Sequence, residues 1–245
     1  MSRFAILAFG LVSYAIGMAS LLYAMGFIGN LVVPKTIDSG VRVPLTETLI
    51  VNVLLLGLFA VQHSVMARQQ FKALLTRGLP VAAERGLYVL LSGLVLALLY
   101  WQWRPIPDQI WHVENDYLST AIWALYFLGW GIIVVSTFLI SHFQLMGLKQ
   151  VYRNWLGQPH EPQAEFKTPL LYKIVRHPIY FGMLLVFWAA PTMTVGHLLF
   201  SVGATGYILI GASLEERDLI AVFGDAYRKY RREVSMLVPW PKRGG

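Results

Sequence analysis

The 245-residue chain is too hydrophobic for a soluble globular protein, because 56% of its residues are hydrophobic and 13% are charged, whereas soluble domains carry about 25% charged residues. Several apolar runs reach the roughly 20 residues that cross a bilayer, so we expect a single polytopic membrane domain over residues 1–245. The chain has no cysteine, which excludes disulfides and thiolate metal sites. The net charge of +7 lies beside apolar runs, which favours loops facing anionic lipid and argues against nucleic-acid binding.

Four long apolar runs are predicted to be membrane-spanning helices. In chain order they cover about Phe4–Val33, Thr48–Ala67, Gly86–Trp103 and Leu118–Ile140. A basic start followed by an apolar run also fits a secretory signal, but this first run is too long and has no convincing cleavage site. We therefore predict a first helix that is retained.

The distribution of lysine and arginine predicts the orientation. The segments after the second and fourth runs and the C-terminal tail, which includes Lys242 and Arg243, are basic, whereas the loop after the third run is acidic. Basic segments stay on the cytoplasmic side, so both termini are predicted to be cytoplasmic. The tail returns there only if the uncharged stretch Ile179–Leu214 enters the membrane and comes back.

That stretch predicts a helical hairpin. Its 36 residues allow two segments of about 17 residues, each barely long enough for a bilayer core. Pro191 and Gly196 supply turn chemistry near its midpoint, so the hairpin is either two short spans or a re-entrant pair. The predicted fold is all-α, with four spanning helices, this C-terminal hairpin and a cytosolic amphipathic helix.

The amphipathic helix is predicted from apolar and aromatic residues at helical spacing after the hairpin. These residues are Leu219, Val222, Phe223, Tyr227, Tyr230 and Val234. Gly224 is expected to break the helix, with Asp225 capping its second piece. The helix would serve either as a lipid anchor or as a lid over a pocket.

Four polar clusters are predicted at the cytoplasmic ends of these segments. They are Gln62-His63-Ser64, Ser141-His142-Phe143-Gln144, Arg176-His177 and Glu215-Glu216-Arg217. Ionisable groups near the membrane core usually face a cavity or one another, so we expect a water-filled pocket open to the cytosol. A histidine at the end of a span is more often an interfacial or capping residue than a catalyst, and that alternative stays open for His63 and His142.

Three C-terminal motifs, within about Leu171–Pro239, resemble those of the isoprenylcysteine carboxyl methyltransferase-like superfamily of integral-membrane methyltransferases. They are Arg176-His177-Pro178-x-Tyr180-x-Gly182, Glu215-Glu216 and Phe223-Gly224-x-x-Tyr227-x-x-Tyr230. An upstream motif, Ser141-His142-Phe143-x-Leu145-x-Gly147-Leu148-x-Gln150, occurs together with Gln62-His63-Ser64. With these, the whole chain resembles the methanethiol S-methyltransferases, which are bacterial enzymes that make dimethyl sulfide.

The resemblance implies S-adenosylmethionine as the methyl donor, bound at the cytosolic face by about residues 141–239, and methanethiol as a small thiol substrate. It implies a bacterial inner-membrane location, with membrane lipid as the other partner and no metal. The residues implied to bind the donor are Arg176, His177, Tyr180, Gly182, Glu215, Glu216, Tyr227 and Tyr230. A glutamate suits the donor's ammonium and Arg176 its carboxylate, while tyrosine faces suit its sulfonium.

Thiol methylation also requires a deprotonated acceptor. A cysteine thiol titrates near about 8.5, and a simple alkanethiol is less acidic, so a base or a water relay is useful. His142, His63 and His177 are the candidate bases.

Three alternatives stay open on the residues alone. The protein could methylate a lipid or a prenylcysteine carboxylate. It could be a membrane reductase with a nicotinamide cofactor, because intramembrane sterol reductases have a similar Arg-His-Pro signature, although their chains are longer with more spans. It could also be a non-enzymatic accessory or transport protein whose charged clusters conduct ions.

Overall fold

The computed structural model describes residues 2–159 and 166–240, so Lys242 and Arg243 of the predicted basic tail lie outside the described residues. The described chain consists mainly of helices. In order, the elements are α1 (Arg3–Gly29), α2 (Leu45–Ala67), α3 (Gln69–Leu75), α4 (Val81–Gln102), β1 (Gln109–His112), α5 (Asp116–Ile140), α6 (His142–Leu145), α7 (Leu148–Trp155), a 3₁₀ helix (Leu170–Lys173), α8 (Pro178–Trp188), β2 (Thr192–Thr194), α9 (Val195–Phe223) and α10 (Asp225–Glu233).

Five of these helices, α1, α2, α4, α5 and α9, are long and apolar enough to cross a membrane. The prediction of an all-α integral membrane protein is therefore confirmed. The four predicted spans correspond to α1, α2, α4 and α5. The first helix is shorter than predicted because Asn30 adopts a left-handed conformation (φ 51°) and ends it. The third span begins earlier than predicted, at Val81. Its first turns carry the charged residues Glu84 and Arg85, so hydropathy alone did not assign them to the span.

The predicted hairpin has two very unequal arms, and the prediction of two segments of similar length is wrong. The first arm, α8, has 11 residues, whereas the second, α9, has 29. At 1.5 Å per residue these helices are roughly 16 Å and 43 Å long. The first arm is completed by β2, which pairs antiparallel with β1. Strands this short leave no periodicity to read in a sequence, so this ribbon was not predicted.

The second arm of the hairpin continues past the paired glutamates, so Glu215 and Glu216 lie inside α9 rather than at its end. The predicted break at Gly224 is confirmed, since this residue has a φ of 57° and separates α9 from α10. The predicted cap is wrong, because Gly224 occupies the N-cap position and Asp225 makes no capping hydrogen bond. The Asp225 carboxylate instead pairs with Arg228 at 2.8 Å.

The described residues divide into two compact units: unit 1 covers 2–108 and 141–159, and unit 2 covers 109–140 and 166–240. Whether both belong to the one domain predicted over residues 1–245 stays a prediction. In unit 1, α1 packs against α4 and α7, and α2 packs against α4. The turn before α7 lies directly on the backbone of α4, where a Cβ atom on Gly147 would lie 2.9 Å from the Gly86 nitrogen.

In unit 2, α8 packs along α5 through two facing glycines. A Cβ atom on Gly182 would lie 2.7 Å from the Gly129 carbonyl oxygen, and one on Gly129 would lie 2.8 Å from the Gly182 oxygen. The two backbones therefore touch. This contact, together with Ile133 beside Gly182, places the N-terminus of α8 against the second half of α5.

We expect Gly182→Ala to destabilise the protein by about 1–3 kcal/mol, because the added methyl group meets backbone that cannot move aside as a flexible side chain would. The measurement is thermal unfolding in detergent. Gly131→Ala is the matched control, since it lies on α5 but a Cβ atom there has no neighbour within 4 Å. Equal unfolding temperatures for the two variants would contradict the close contact.

Candidate active site

The Arg-His-Pro segment of unit 2 is held by the chain's C-terminal residues. Pro178 starts α8, where its missing N–H and fixed φ are favourable. The backbone N–H of Arg176 donates to the Ser235 carbonyl at 2.8 Å, and that of His177 donates to the Met236 carbonyl at 3.1 Å. Two neighbouring side chains are thereby fixed at the entrance of α8.

Glu216 is the centre of the site. Its side chain is 7% exposed, and Arg176 Nε lies 2.6 Å from its Oε1 atom. His177 Nε2 lies 3.2 Å from the same oxygen, and Arg231 Nε lies 3.4 Å from Oε2. A buried carboxylate is costly unless charges and hydrogen bonds compensate it, and here three side chains do so.

Arg176 contacts three groups of the protein. Besides Glu216, its Nη1 donates to the carbonyl oxygens of Arg231 at 3.0 Å and of Val234. These bonds tie α8, α9 and the end of α10 together around one guanidinium. In this conformation Arg176 is directed at Glu216, and its predicted pairing with a donor carboxylate stays a prediction.

Glu215 is the accessible member of the acidic pair. Its side chain is 46% exposed, and its Oε2 atom accepts a hydrogen bond from the Tyr180 hydroxyl at 2.9 Å. His177 stacks on Tyr180 with ring centroids 5.4 Å apart, and its Nδ1 atom lies 3.7 Å from the same Glu215 oxygen. The His177 ring therefore bridges a buried carboxylate and a half-exposed one.

The aromatic residues of α10 pack inside unit 2. Tyr227 and Tyr230 are buried, and both rings contact Phe166. The Tyr230 hydroxyl donates to the Tyr172 carbonyl. Burial raises the pKa of Tyr230 to about 12; the Arg176 charge opposes this shift and the Glu216 charge adds to it. The tyrosines of the predicted amphipathic helix thus face protein rather than lipid.

Tyr227 ends in a hydroxyl group with no hydrogen-bond partner in the described part of the chain, although the residue is 2% exposed. A buried polar atom without a partner is unfavourable, so it is unusual in a native structure. Burial raises the pKa of Tyr227 as well, with Glu216 adding to the shift. The group is therefore a neutral phenol that a bound molecule could satisfy.

The other two predicted histidines lie in unit 1. The imidazole of His63 contacts the Tyr88 hydroxyl through Nε2 at 2.6 Å and the Ser92 hydroxyl through Nδ1 at 3.1 Å. His142 Nε2 lies 3.1 Å from the Tyr14 hydroxyl, and desolvation lowers the pKa of His142. The structure thus assembles five predicted residues, Arg176, His177, Tyr180, Glu215 and Glu216, in unit 2. That they share one pocket with His63 and His142 stays a prediction.

Several contributing residues were not predicted. Arg231 belongs to the basic C-terminal tail, and its contact with Glu216 depends on how α10 folds back. Tyr88, which contacts His63, stands in an ordinary helix sequence, with no local motif to distinguish it. Among residues 2–159 and 166–240, no group of three or more histidine or acidic side chains is placed to hold a metal ion.

Comparison with known proteins identifies the family. The NnrU protein family model matches residues 51–229. A methanethiol S-methyltransferase of Mycobacterium tuberculosis is 52% identical over 243 residues, covering 99% of both chains. One of Pseudomonas deceptionensis is 50% identical, covering 99% of this chain and 92% of its own. The chain belongs to the methanethiol S-methyltransferase family.

More distant relatives extend to animals, where nurim of Sus scrofa is 33% identical over 201 residues, covering 78% of this chain and 74% of nurim. No solved structure matches the chain. The family range, 51–229, contains His63, His142, the Arg-His-Pro segment and the paired glutamates, and it ends one residue before Tyr230. The resemblance read from the motifs is therefore confirmed at the level of the methanethiol S-methyltransferase family.

We expect Glu216→Gln to destabilise the protein by about 3–5 kcal/mol, because it leaves the Arg176 guanidinium buried without its charged partner. Glu215→Gln should change stability little, since its carboxylate is half exposed. Chemical or thermal unfolding in detergent measures the stability of both variants. Equal destabilisation by the two substitutions would show that Glu216 is not the centre of the packing.

Proposed function

We propose that the protein transfers the methyl group of S-adenosylmethionine to methanethiol and releases dimethyl sulfide. Full-length similarity to proteins named methanethiol S-methyltransferase supports this proposal. The observation that carries it is the acidic pair of unit 2, in which Glu216 is compensated within the protein while Glu215 stays half exposed. Membership of a methyltransferase family also argues against the nicotinamide-dependent reductase and the non-enzymatic alternatives.

The residues of unit 2 fit the donor. Glu215 offers an accessible carboxylate for the donor's ammonium, and charge-assisted hydrogen bonds of this kind are strong. The Tyr227 hydroxyl is a buried polar group that lacks a partner within the described chain. The Tyr180 ring could hold a sulfonium by cation–π attraction. When bound, S-adenosylmethionine supplies an electrophilic methyl group on a positively charged sulfur.

The contacts suggest different roles for the candidate residues. Arg176 and Glu216 hold α8, α9 and α10 together and thereby position the donor site. Glu215, Tyr180 and Tyr227 would contact the donor, and His177 would orient Glu215. Gly182 contacts Gly129 and Ile133, and Tyr230 bonds to Tyr172, so both would act by shaping the site.

A cytosolic opening of this site fits the dimensions of α9. Glu216 lies about 32 Å along the helix from its first residue, Val195, at 1.5 Å per residue. That distance matches a bilayer hydrocarbon core of about 30 Å, so the glutamates would lie at the membrane face opposite the β1–β2 ribbon. The basic residues of α10 follow directly, and basic segments favour the cytoplasm. We therefore propose a bacterial inner-membrane protein with both termini in the cytoplasm.

Purified protein supplied with S-adenosylmethionine and methanethiol should release dimethyl sulfide into the headspace, which gas chromatography measures. Reactions without the donor, and with boiled protein, are the controls. Parallel reactions with a fatty alkanethiol, a prenylcysteine and a phosphoethanolamine lipid test the second candidate function, methylation of a lipid or a carboxylate. No dimethyl sulfide from excess thiol, with donor binding demonstrated, would exclude the proposed reaction.

Glu215→Gln should weaken donor binding by about 10- to 100-fold, which corresponds to the loss of one charge-assisted hydrogen bond of about 1.5–3 kcal/mol. Equilibrium binding of labelled S-adenosylmethionine to the detergent-solubilised protein measures this effect. Asp225→Asn is the matched control, because its carboxylate is exposed and pairs with Arg228 alone among the contacts described. Unchanged binding by Glu215→Gln would place the donor's ammonium elsewhere.

A further inference from the structure

An open cavity lies between the last turns of α9 and helix α10, entirely within unit 2. Its volume is about 310 Å³, and the described residues that line it are Ile220 of α9 and Arg228, Arg231 and Arg232 of α10. Three of these four side chains carry a positive charge, and none of the four is acidic. A concave surface lined by charges of one sign attracts ions of the opposite sign, so this cavity suits an anion.

The three arginines share one face of α10 because of their spacing. Arg228 precedes Arg231 by three residues and Arg232 by four, and residues at these spacings are neighbours on a helix surface. Like charges at such spacings repel one another and destabilise the helix. An anion bound in the cavity would relieve that repulsion.

Two carboxylates compensate part of this charge. Arg228 Nη1 lies 2.8 Å from an Asp225 oxygen, but the Asp225 side chain is 96% exposed, and exposed ion pairs are weak. Arg231 Nε lies 3.4 Å from Glu216, which is shared with Arg176 at 2.6 Å. The arginines around the cavity therefore carry more positive charge than these two carboxylates compensate.

The orientation of α10 decides which of its faces is available to lipid. Tyr227 and Tyr230 are buried and contact Phe166, whereas the side chains of Arg228 and Arg231 are about half exposed. An amphipathic helix on a membrane surface buries its apolar face in the lipid, but here that face packs against protein. Contact between α10 and lipid would therefore be made by its arginines.

The cavity would lie at the depth of the lipid headgroups. Ile220 is 25 residues after Val195, which is about 38 Å along α9 at 1.5 Å per residue. With an average tilt of about 20°, this distance is about 35 Å across the membrane. A bilayer has a hydrocarbon core of about 30 Å and a thickness of about 40–45 Å with its headgroup regions. A helix that starts at one edge of the core therefore brings Ile220 among the headgroups of the opposite leaflet.

A phosphate group is the anion that this arrangement favours. Each guanidinium is planar and can donate two parallel hydrogen bonds to phosphate oxygens. A lipid headgroup and the free anion are the two sources of phosphate at a membrane face. Ile220 favours the lipid, because its apolar side chain offers a contact to the glycerol part that inorganic phosphate cannot make. In a zwitterionic lipid the headgroup's own cation compensates the phosphate, so an anionic lipid fits the arginines better.

We propose that this cavity binds the headgroup of an anionic phospholipid, with the lipid phosphate between Arg228 and Arg232. Arg231 lines the same cavity and contacts Glu216, so the bound lipid would hold α10 against α9. The proposal goes beyond methyl transfer and does not depend on it. Since the lipid binds the folded protein, it should also raise the stability of that protein.

The test titrates the purified full-length protein in detergent with phosphatidylglycerol and, separately, with phosphatidylcholine, and measures bound lipid by native mass spectrometry. The wild-type protein should bind phosphatidylglycerol more tightly. An arginine near an anionic lipid surface contributes about fivefold to binding, so Arg232→Gln should weaken phosphatidylglycerol binding by about that factor. Arg228→Gln/Arg232→Gln should weaken it by about 25-fold, if the two effects multiply.

Lys229→Gln is the matched control, because Lys229 is exposed on the same helix and carries the same charge but does not line the cavity. This variant should bind phosphatidylglycerol as the wild-type protein does. In thermal unfolding, phosphatidylglycerol should raise the unfolding temperature of the wild-type protein and of Lys229→Gln. It should have no such effect on Arg228→Gln/Arg232→Gln.

Equal weakening of phosphatidylglycerol binding by Arg232→Gln and Lys229→Gln would overturn the proposal, because it would show attraction by the overall charge of α10 alone. Displacement of the lipid by inorganic phosphate at a matching concentration would also overturn it and assign the cavity to a soluble anion. Loss of S-adenosylmethionine binding in Arg228→Gln/Arg232→Gln, with phosphatidylglycerol binding unchanged, would assign the cavity to the donor's carboxylate instead.

Discussion

The structure of unit 2 depends on the compensation of one buried charge, the Glu216 carboxylate. Arg176 reaches it from the residue pair before α8, His177 from the same pair, and Arg231 from α10. These contacts hold the segment before α8 and helix α10 against α9. The carboxylate therefore acts as an organising centre, because the burial of its charge is tolerable only when both of these segments are in place.

Close backbone packing makes that arrangement possible. Gly129 and Gly182 bring α5 and α8 into direct contact, which sets the level at which the residues before α8 lie along α5. A full-length helix in place of α8 would carry Arg176 and His177 away from this level. The β1–β2 ribbon completes the short arm in extended form, at more than twice the rise per residue of a helix. The unequal hairpin thus places the two residues before α8 beside Glu216 of α9.

Hydropathy was enough to predict the spans, since α1, α2, α4 and α5 follow apolar runs within a few residues. The motifs also identified the residues that meet at Glu216, because Arg176, His177 and Glu216 stand in recognisable order. The unequal arms were beyond prediction, because an uncharged stretch has no signal for where a helix yields to a strand. The contact of Arg231 with Glu216 was not predictable either, because it depends on the bend at Gly224 and not on local sequence.

The polar clusters around Glu216 and around His63 differ in the groups that compensate their buried polar atoms. Around Glu216, the buried carboxylate is compensated by charged side chains, while the neighbouring Glu215 stays half exposed. Around His63, the partners are hydroxyl groups that donate or accept a hydrogen equally well. Such a cluster satisfies both ring nitrogens of His63 without a buried charge. The first arrangement compensates a fixed charge, whereas the second satisfies polar groups that carry no charge.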